Sequence, residues 1–162
     1  MAIAVLFSLR VAVDVTVGEG DLPTVLDAAA DKIGPDRLPG RLILMAPGQP
    51  VAYIEDDDLE FTVQQVLEAV PELSAGRPFG IGFSEAPGGV ELTPAGGDVR
   101  VSAEYFKPFA APAAELVPAL LACCERFVAF VRKAYPDRPD VLERIAQLDP
   151  WLAGARDAVA RA

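Results

Sequence analysis

Apolar residues fill every odd position near the start of the chain: Ile3, Val5, Phe7, Leu9, Val11, Val13, Val15 and Val17. A period of two, carried by β-branched and aromatic side chains, puts all of them on one face of a pleated strand. The even positions change character, from Ala2, Ala4 and Leu6 to Arg10, Asp14 and Thr16. The first half suits cover on both faces, the second a wet outer face. A straight strand over 2–17 would span roughly 53 Å at about 3.3 Å per residue, more than the width of a compact domain of this size. The pattern therefore predicts a bend or bulge near Ser8 to Ala12, or an overhang that pairs with a second copy in a homodimer.

After a turn at Gly18 to Asp21, Leu22, Val25, Leu26, Ala29 and Ile33 recur at helical spacing, with Asp21 as cap and Gly34 as stop. Arg41 to Ala46 and Val51 to Glu55 read as two strands separated by Pro47, Gly48 and Pro50. Thr62 and Gln65 have the spacing of a capping box, and Phe61 and Val66 that of a hydrophobic staple. A second helix is therefore expected from Val63, bent or ended by Pro71 near Val70. Phe79 to Glu85, Val90 to Thr93 and Val99 to Phe106 read as three strands joined by short Gly-rich turns, which favour an antiparallel meander. Gly80 and Gly82 suggest a bulge or close backbone packing.

From Pro112 the spacing becomes helical. Leu116, Leu120, Phe127, Val131 and Tyr135 mark one long helix, with Pro118 a kink or a sign of a later start. Val141, Leu142, Ile145 and Leu148 mark another helix behind Asp137 as cap, and a short terminal helix carries Trp151 and Leu152. The order β-α-β-β-α-β opens the chain and matches a ferredoxin-like split unit. The expected fold is α+β: one domain over 1–162, with a mainly antiparallel sheet of about six strands and two helices on one face over 1–109. Residues 110–162 form a helical arm.

Charge then narrows the partners. The 162 residues carry a formal net charge of -10. The acidity is uneven, net -11 up to Cys124 and +1 beyond it. A nucleic-acid backbone or an anionic membrane would be repelled, and a basic partner drawn to the N-terminal part. No stretch reaches the roughly 18 uncharged apolar residues of a membrane span. The opening run lacks a preceding basic residue and is interrupted by Arg10 and Asp14, unlike a signal peptide. A cytoplasmic protein is the expectation.

The chain has no histidine. That removes Ser-His-Asp and Cys-His nucleophiles, His-ligated zinc and a histidine general base. Cys123 and Cys124 are neighbours on a helix, pointing about 100° apart, and read as small apolar residues in a reducing compartment. No cofactor and no metal site is expected.

Two groups of residues stand out as candidate sites. Glu55, Asp56, Asp57, Asp58 and Glu60 form an acidic run without the spacing of a calcium loop. It reads either as a solvated turn favouring the N-terminus of the adjacent helix, or as a docking patch for a basic protein. Arg100, Glu104, Tyr105, Phe106 and Phe109 gather where the last strand meets the helical arm, as core packing or as a ligand pocket. Gly82 to Ala86 has the outline of a nucleophile turn at Ser84, yet a strand follows it and no histidine exists to activate it. The reading these features favour is a non-catalytic acidic interaction protein that binds a basic partner, as a bacterial immunity or antitoxin-like inhibitor does. The alternative is a small-molecule binding domain or carboxylate-based enzyme with a pocket between sheet and arm.

Overall fold

Val5, Phe7 and Leu9 of the odd-position apolar row do become the inner face of a strand, but the strand does not run straight. In the computed structural model, which describes residues 3–12, 15–21 and 37–162, β1 spans Ala4–Ala12 and β2 spans Val15–Gly18. The two pair antiparallel, Leu9 opposite Val17 and Arg10 opposite Thr16, and the register shifts between Arg10 and Ala12. The irregularity expected near Ser8 to Ala12 is present, while the single long strand is corrected to a chain folded back on itself. The overhang that suggested a second copy is thereby removed. The helix expected over 22–33 lies outside the described residues.

Next come β3 (Gly40–Met45) and β4 (Ala52–Asp56), giving a first antiparallel sheet in the order β2-β1-β3-β4. Gly40 sits opposite Leu9, where a Cβ would overlap the Ser8 carbonyl oxygen, so the crossing of β1 and β3 requires glycine. Helix α1 follows (Leu59–Ser74), then β5 (Phe79–Gly82), β6 (Gly89–Ala95), β7 (Asp98–Ala103) and β8 (Phe106–Pro112), a second antiparallel sheet in sequence order. The meander is as expected. The strand expected over 99–106 is two strands divided by a turn at Glu104 and Tyr105. Among the described residues eight strands in two sheets replace the six in one, and the ferredoxin-like order is corrected: β1 and β3 are antiparallel neighbours, and β5 belongs to the other sheet.

The C-terminal helical arm comprises α2 (Ala113–Ala134), α3 (Pro139–Ala146) and α4 (Asp149–Arg161). Helix α2 begins at once after β8 and carries Pro118 inside it. Asp137 does not cap α3; Arg138 holds that position without a side-chain cap bond, and Pro139 supplies the first turn, where its missing N–H costs nothing. None of the described helices is long and apolar enough to cross a membrane.

Both sheets turn one face toward α1 and α2. Val5, Phe7 and Leu9 of β1, Leu42 and Leu44 of β3, Val90 and Leu92 of β6, and Val99 and Val101 of β7 are all buried. They join the apolar faces of α1 and α2 in one cluster, with Phe7 edge-on to Phe127 at 5.5 Å between ring centroids. Apolar burial of this kind, about 25 cal/mol per Å², is what holds the layers together. Arg126 of α2 adds a polar strap: its guanidinium donates to both Glu19 carboxylate oxygens, at 2.8 and 3.1 Å, and to the Val5 carbonyl at 2.6 Å.

Candidate functional site

The end of β4 decides the local architecture. Alternation along Ala52–Asp56 points Ala52, Ile54 and Asp56 inward and leaves Tyr53 and Glu55 on the other face. Asp56 is thus a carboxylate at the end of an inner row, only 5% exposed. A buried charge is tolerated when donors surround it, and here they do. Its Oδ1 accepts from the Asp58 backbone N–H at 3.0 Å. Its Oδ2 accepts from the Ser84 N–H at 3.0 Å and the Thr62 hydroxyl at 3.3 Å. The Ser84 hydroxyl also donates to Oδ1. The carboxylate therefore pins the segment after β5 onto the start of α1, and the Ser84 hydroxyl is spent on that task.

These bonds also correct the expected helix start. Asp58, in extended conformation, is the N-cap, and its Oδ1 accepts from the N–H of Glu60 at 3.1 Å and of Phe61 at 3.4 Å. The T-x-x-Q pair is not a capping box, because Thr62 already lies in the first turn and serves Asp56. Phe61 is 40% exposed and forms no staple over buried Val66. Gln65 reaches across instead: its Nε2 donates to the Gly82 carbonyl and its Oε1 accepts from the Gly82 N–H, both at 2.8 Å. Of the bulge or close backbone packing expected at Gly80 and Gly82, the β5–β6 register carries no bulge, and a Cβ at Gly82 would meet only Gln65 Oε1 at 3.7 Å, an ordinary contact. Helix α1 also runs through Pro71 to Ser74 rather than ending near Val70. Buried Val70 and Leu73 offset the single backbone bond that proline removes so near the C-terminus.

On the outward face of β4 the two sheets meet. The Tyr105 hydroxyl donates to the Tyr53 carbonyl at 3.1 Å, joining the β7–β8 turn to β4. The Tyr105 ring lies 5.4 Å from Tyr53, 5.9 Å from Phe83 and 5.1 Å from Phe106, between centroids. Beside this row opens a cleft of about 520 Å³ lined by Tyr53, Glu55, Asp57, Phe83, Glu85 and Tyr105, with Asp56 at its base. Burial, reinforced by the negative charge of Glu55, pushes the Tyr105 hydroxyl up to about 12, so it stays a proton donor at neutral pH.

The carboxylates around the cleft are partly matched from within. Glu55 pairs with Arg10 and Arg41, each at 3.1 Å, and Asp57 lies 3.5 Å from Arg10. Glu85 pairs with Arg37. The Arg41 guanidinium also lies 5.3 Å from the centre of the Tyr53 ring, a cation–π distance. Glu60 faces the other way and holds α3 through both oxygens to Arg144, at 3.1 Å each.

The structure thus scatters the acidic run and unites part of it with part of the aromatic group. Glu55, Asp56 and Asp57 line the cleft together with Tyr105; Asp58 caps α1 and Glu60 binds α3. Phe109 is fully buried, Phe106 backs the ring row, and Arg100 and Glu104 are exposed without lining the cleft. The cleft that Tyr105 lines lies between the two sheets, not between sheet and arm. Sequence reasoning missed Tyr53, Phe83 and Glu85. For Tyr53 the signal was its outward parity with Glu55 on β4, and it said nothing about what stood opposite.

Cys123 and Cys124 are both buried and unpaired. Burial pushes the Cys123 thiol up to about 12 and raises the Cys124 thiol too, so both are neutral and poor nucleophiles at neutral pH. Among the described residues no group of three or more His, Cys, Asp or Glu is arranged to hold a metal ion. No protein-family model matches the chain, and neither a curated protein nor a solved structure is recognisably similar to it.

Proposed function

We propose that this protein is a non-catalytic interaction module that binds a basic protein partner, seating a cationic side chain of that partner in the cleft between the two sheets. The observation that carries the reading is the meeting of a 42% exposed tyrosine ring with Asp57, Glu55 and Glu85 at one opening. An aromatic face and a carboxylate together are what a guanidinium or ammonium group takes up. The neighbouring ring of Tyr53 already receives the guanidinium of Arg41, which illustrates the contact within the molecule itself. The net charge of -10 would steer such a partner toward the surface. An inhibitor of the immunity or antitoxin type fits this description.

The test is affinity capture from the native cell, with partners identified by mass spectrometry, on the unaltered protein and on Tyr105→Ala and Asp57→Asn. A dominant basic partner that binds at least tenfold less well to either variant supports the reading. An acidic dominant partner, or a basic one indifferent to both substitutions, overturns it.

A further inference from the structure

Along the C-terminal half of α1 runs a second depression, a groove of about 740 Å³ between α1, the start of β5 and the start of α4. Its walls are rings: Pro71, Pro78, Phe79, Pro150 and Trp151. Trp151 is 43% exposed, one of four large apolar residues left open to solvent among the described residues. Among the described residues its indole N–H has no hydrogen-bond partner. Tryptophan, with a flat apolar face and a donor at its edge, is enriched at interfaces. Glu68 and Glu72 line the same groove. Glu72 is neutralised by Arg77, at 2.5 and 3.0 Å, while among the described residues Glu68 accepts only from the uncharged Gln64 amide, at 2.8 Å, and has no ion-pair partner.

From this we infer that the groove binds a proline-rich segment of a partner protein carrying a basic residue beside its prolines. An extended polyproline II chain has no internal hydrogen bonds, so its carbonyls are free to accept from the Trp151 indole. Its pyrrolidine rings stack on tryptophan and proline faces, and its stiffness lowers the entropic cost of docking. Glu68 fixes the position and direction of the chain through the basic side chain. The groove shares no lining residue with the cleft, and the assignment does not depend on the cleft's function.

Trp151 is the only tryptophan in the chain, so its emission reports on this groove alone. The experiment titrates the full chain with an oligoproline peptide carrying an arginine at each end. A saturable shift in tryptophan emission is expected. Binding should be roughly two- to fivefold weaker without the arginines, the size expected of one exposed ion pair. Glu68→Gln removes that preference and leaves the arginine-free peptide unaffected. Trp151→Ala, followed by calorimetry, abolishes binding of both peptides, and Tyr105→Ala binds as the unaltered protein does. The proposal is overturned by a linear, non-saturating response, by equal affinity for a glycine-serine peptide with the same arginines, or by binding that survives Trp151→Ala or is lost in Tyr105→Ala.

Discussion

The two sheets share an inner face and differ on the outer one. In the β5–β8 sheet the outward residues of β6 and β7 are polar and wet: Glu91, Thr93 and Arg100 are exposed, with Thr93 directly opposite Arg100. In the β1–β4 sheet the outward row is Leu6, Ile43 and Tyr53, in register across three strands and only half-exposed, followed by Ser8, Arg41 and Glu55. An antiparallel sheet with one solvated face writes a clean alternation into its sequence. A sheet with apolar groups on both faces blurs it. The cleft lies where the two sheets meet, with Tyr53 from the half-covered face touching Tyr105 from the β7–β8 turn.

Whether the inner faces form one cooperative unit is the largest effect to test. Leu42 and Leu92 are both fully buried, one in each sheet. Leu42→Ala and Leu92→Ala should each cost about 2–5 kcal/mol in urea unfolding, with a single transition in both variants. Two separated transitions would show that the sheets unfold independently. Next comes the link between them. Asp56→Ala strips the acceptor from the Ser84 and Asp58 N–H groups and from the Thr62 and Ser84 hydroxyls. A loss of about 1–3 kcal/mol is expected, together with faster amide exchange at Ser84; unchanged exchange there would remove Asp56 as the anchor of that segment.

Tyr105→Phe keeps the ring row and deletes only the bond to the Tyr53 carbonyl. About 0.5–1.5 kcal/mol should be lost by the same measurement, and a larger value would mean that the hydroxyl does more than join the two edges. Smallest of all, Arg100→Gln on the wet face should change stability by less than about 0.5 kcal/mol. A loss comparable to that of Tyr105→Phe would show that the outer face of the second sheet is covered after all.

The same contrast explains what the sequence made legible. In the second sheet, Gly88-Gly89 and Gly96-Gly97 punctuate alternating strands, and the expected strands begin within a residue of their places. The exception is β8, where Lys107 and Pro108 break the pattern; proline is tolerated because β8 is an end strand of its sheet. In the first sheet the reversal between β1 and β2 was hidden. Residues opposite one another in an antiparallel pair share a face, and Leu9 opposite Val17 preserves odd parity through the turn. A period of two cannot distinguish a strand that continues from one that doubles back. The start of α1 was misplaced because Asp58 and Thr62 are both good capping residues, and only the three-dimensional position of Asp56 decides between them. The cleft was half legible for a similar reason: Glu55 to Asp57 and Tyr105 are each conspicuous, but a contact across 52 positions leaves no local trace.

The amide of Gln65 has a consequence for how these molecules behave toward one another. Strand β5 ends the second sheet, and the free backbone of an end strand is a template on which another chain can pair. At Gly82 both the N–H and the C=O are already bound by the Gln65 side chain, which imitates the peptide group of a further strand. A neighbouring molecule seeking to extend the sheet at this rung would first have to displace that amide. Intermolecular strand pairing, the first step toward ribbons and fibres, is thus obstructed at this rung by one helix-borne side chain.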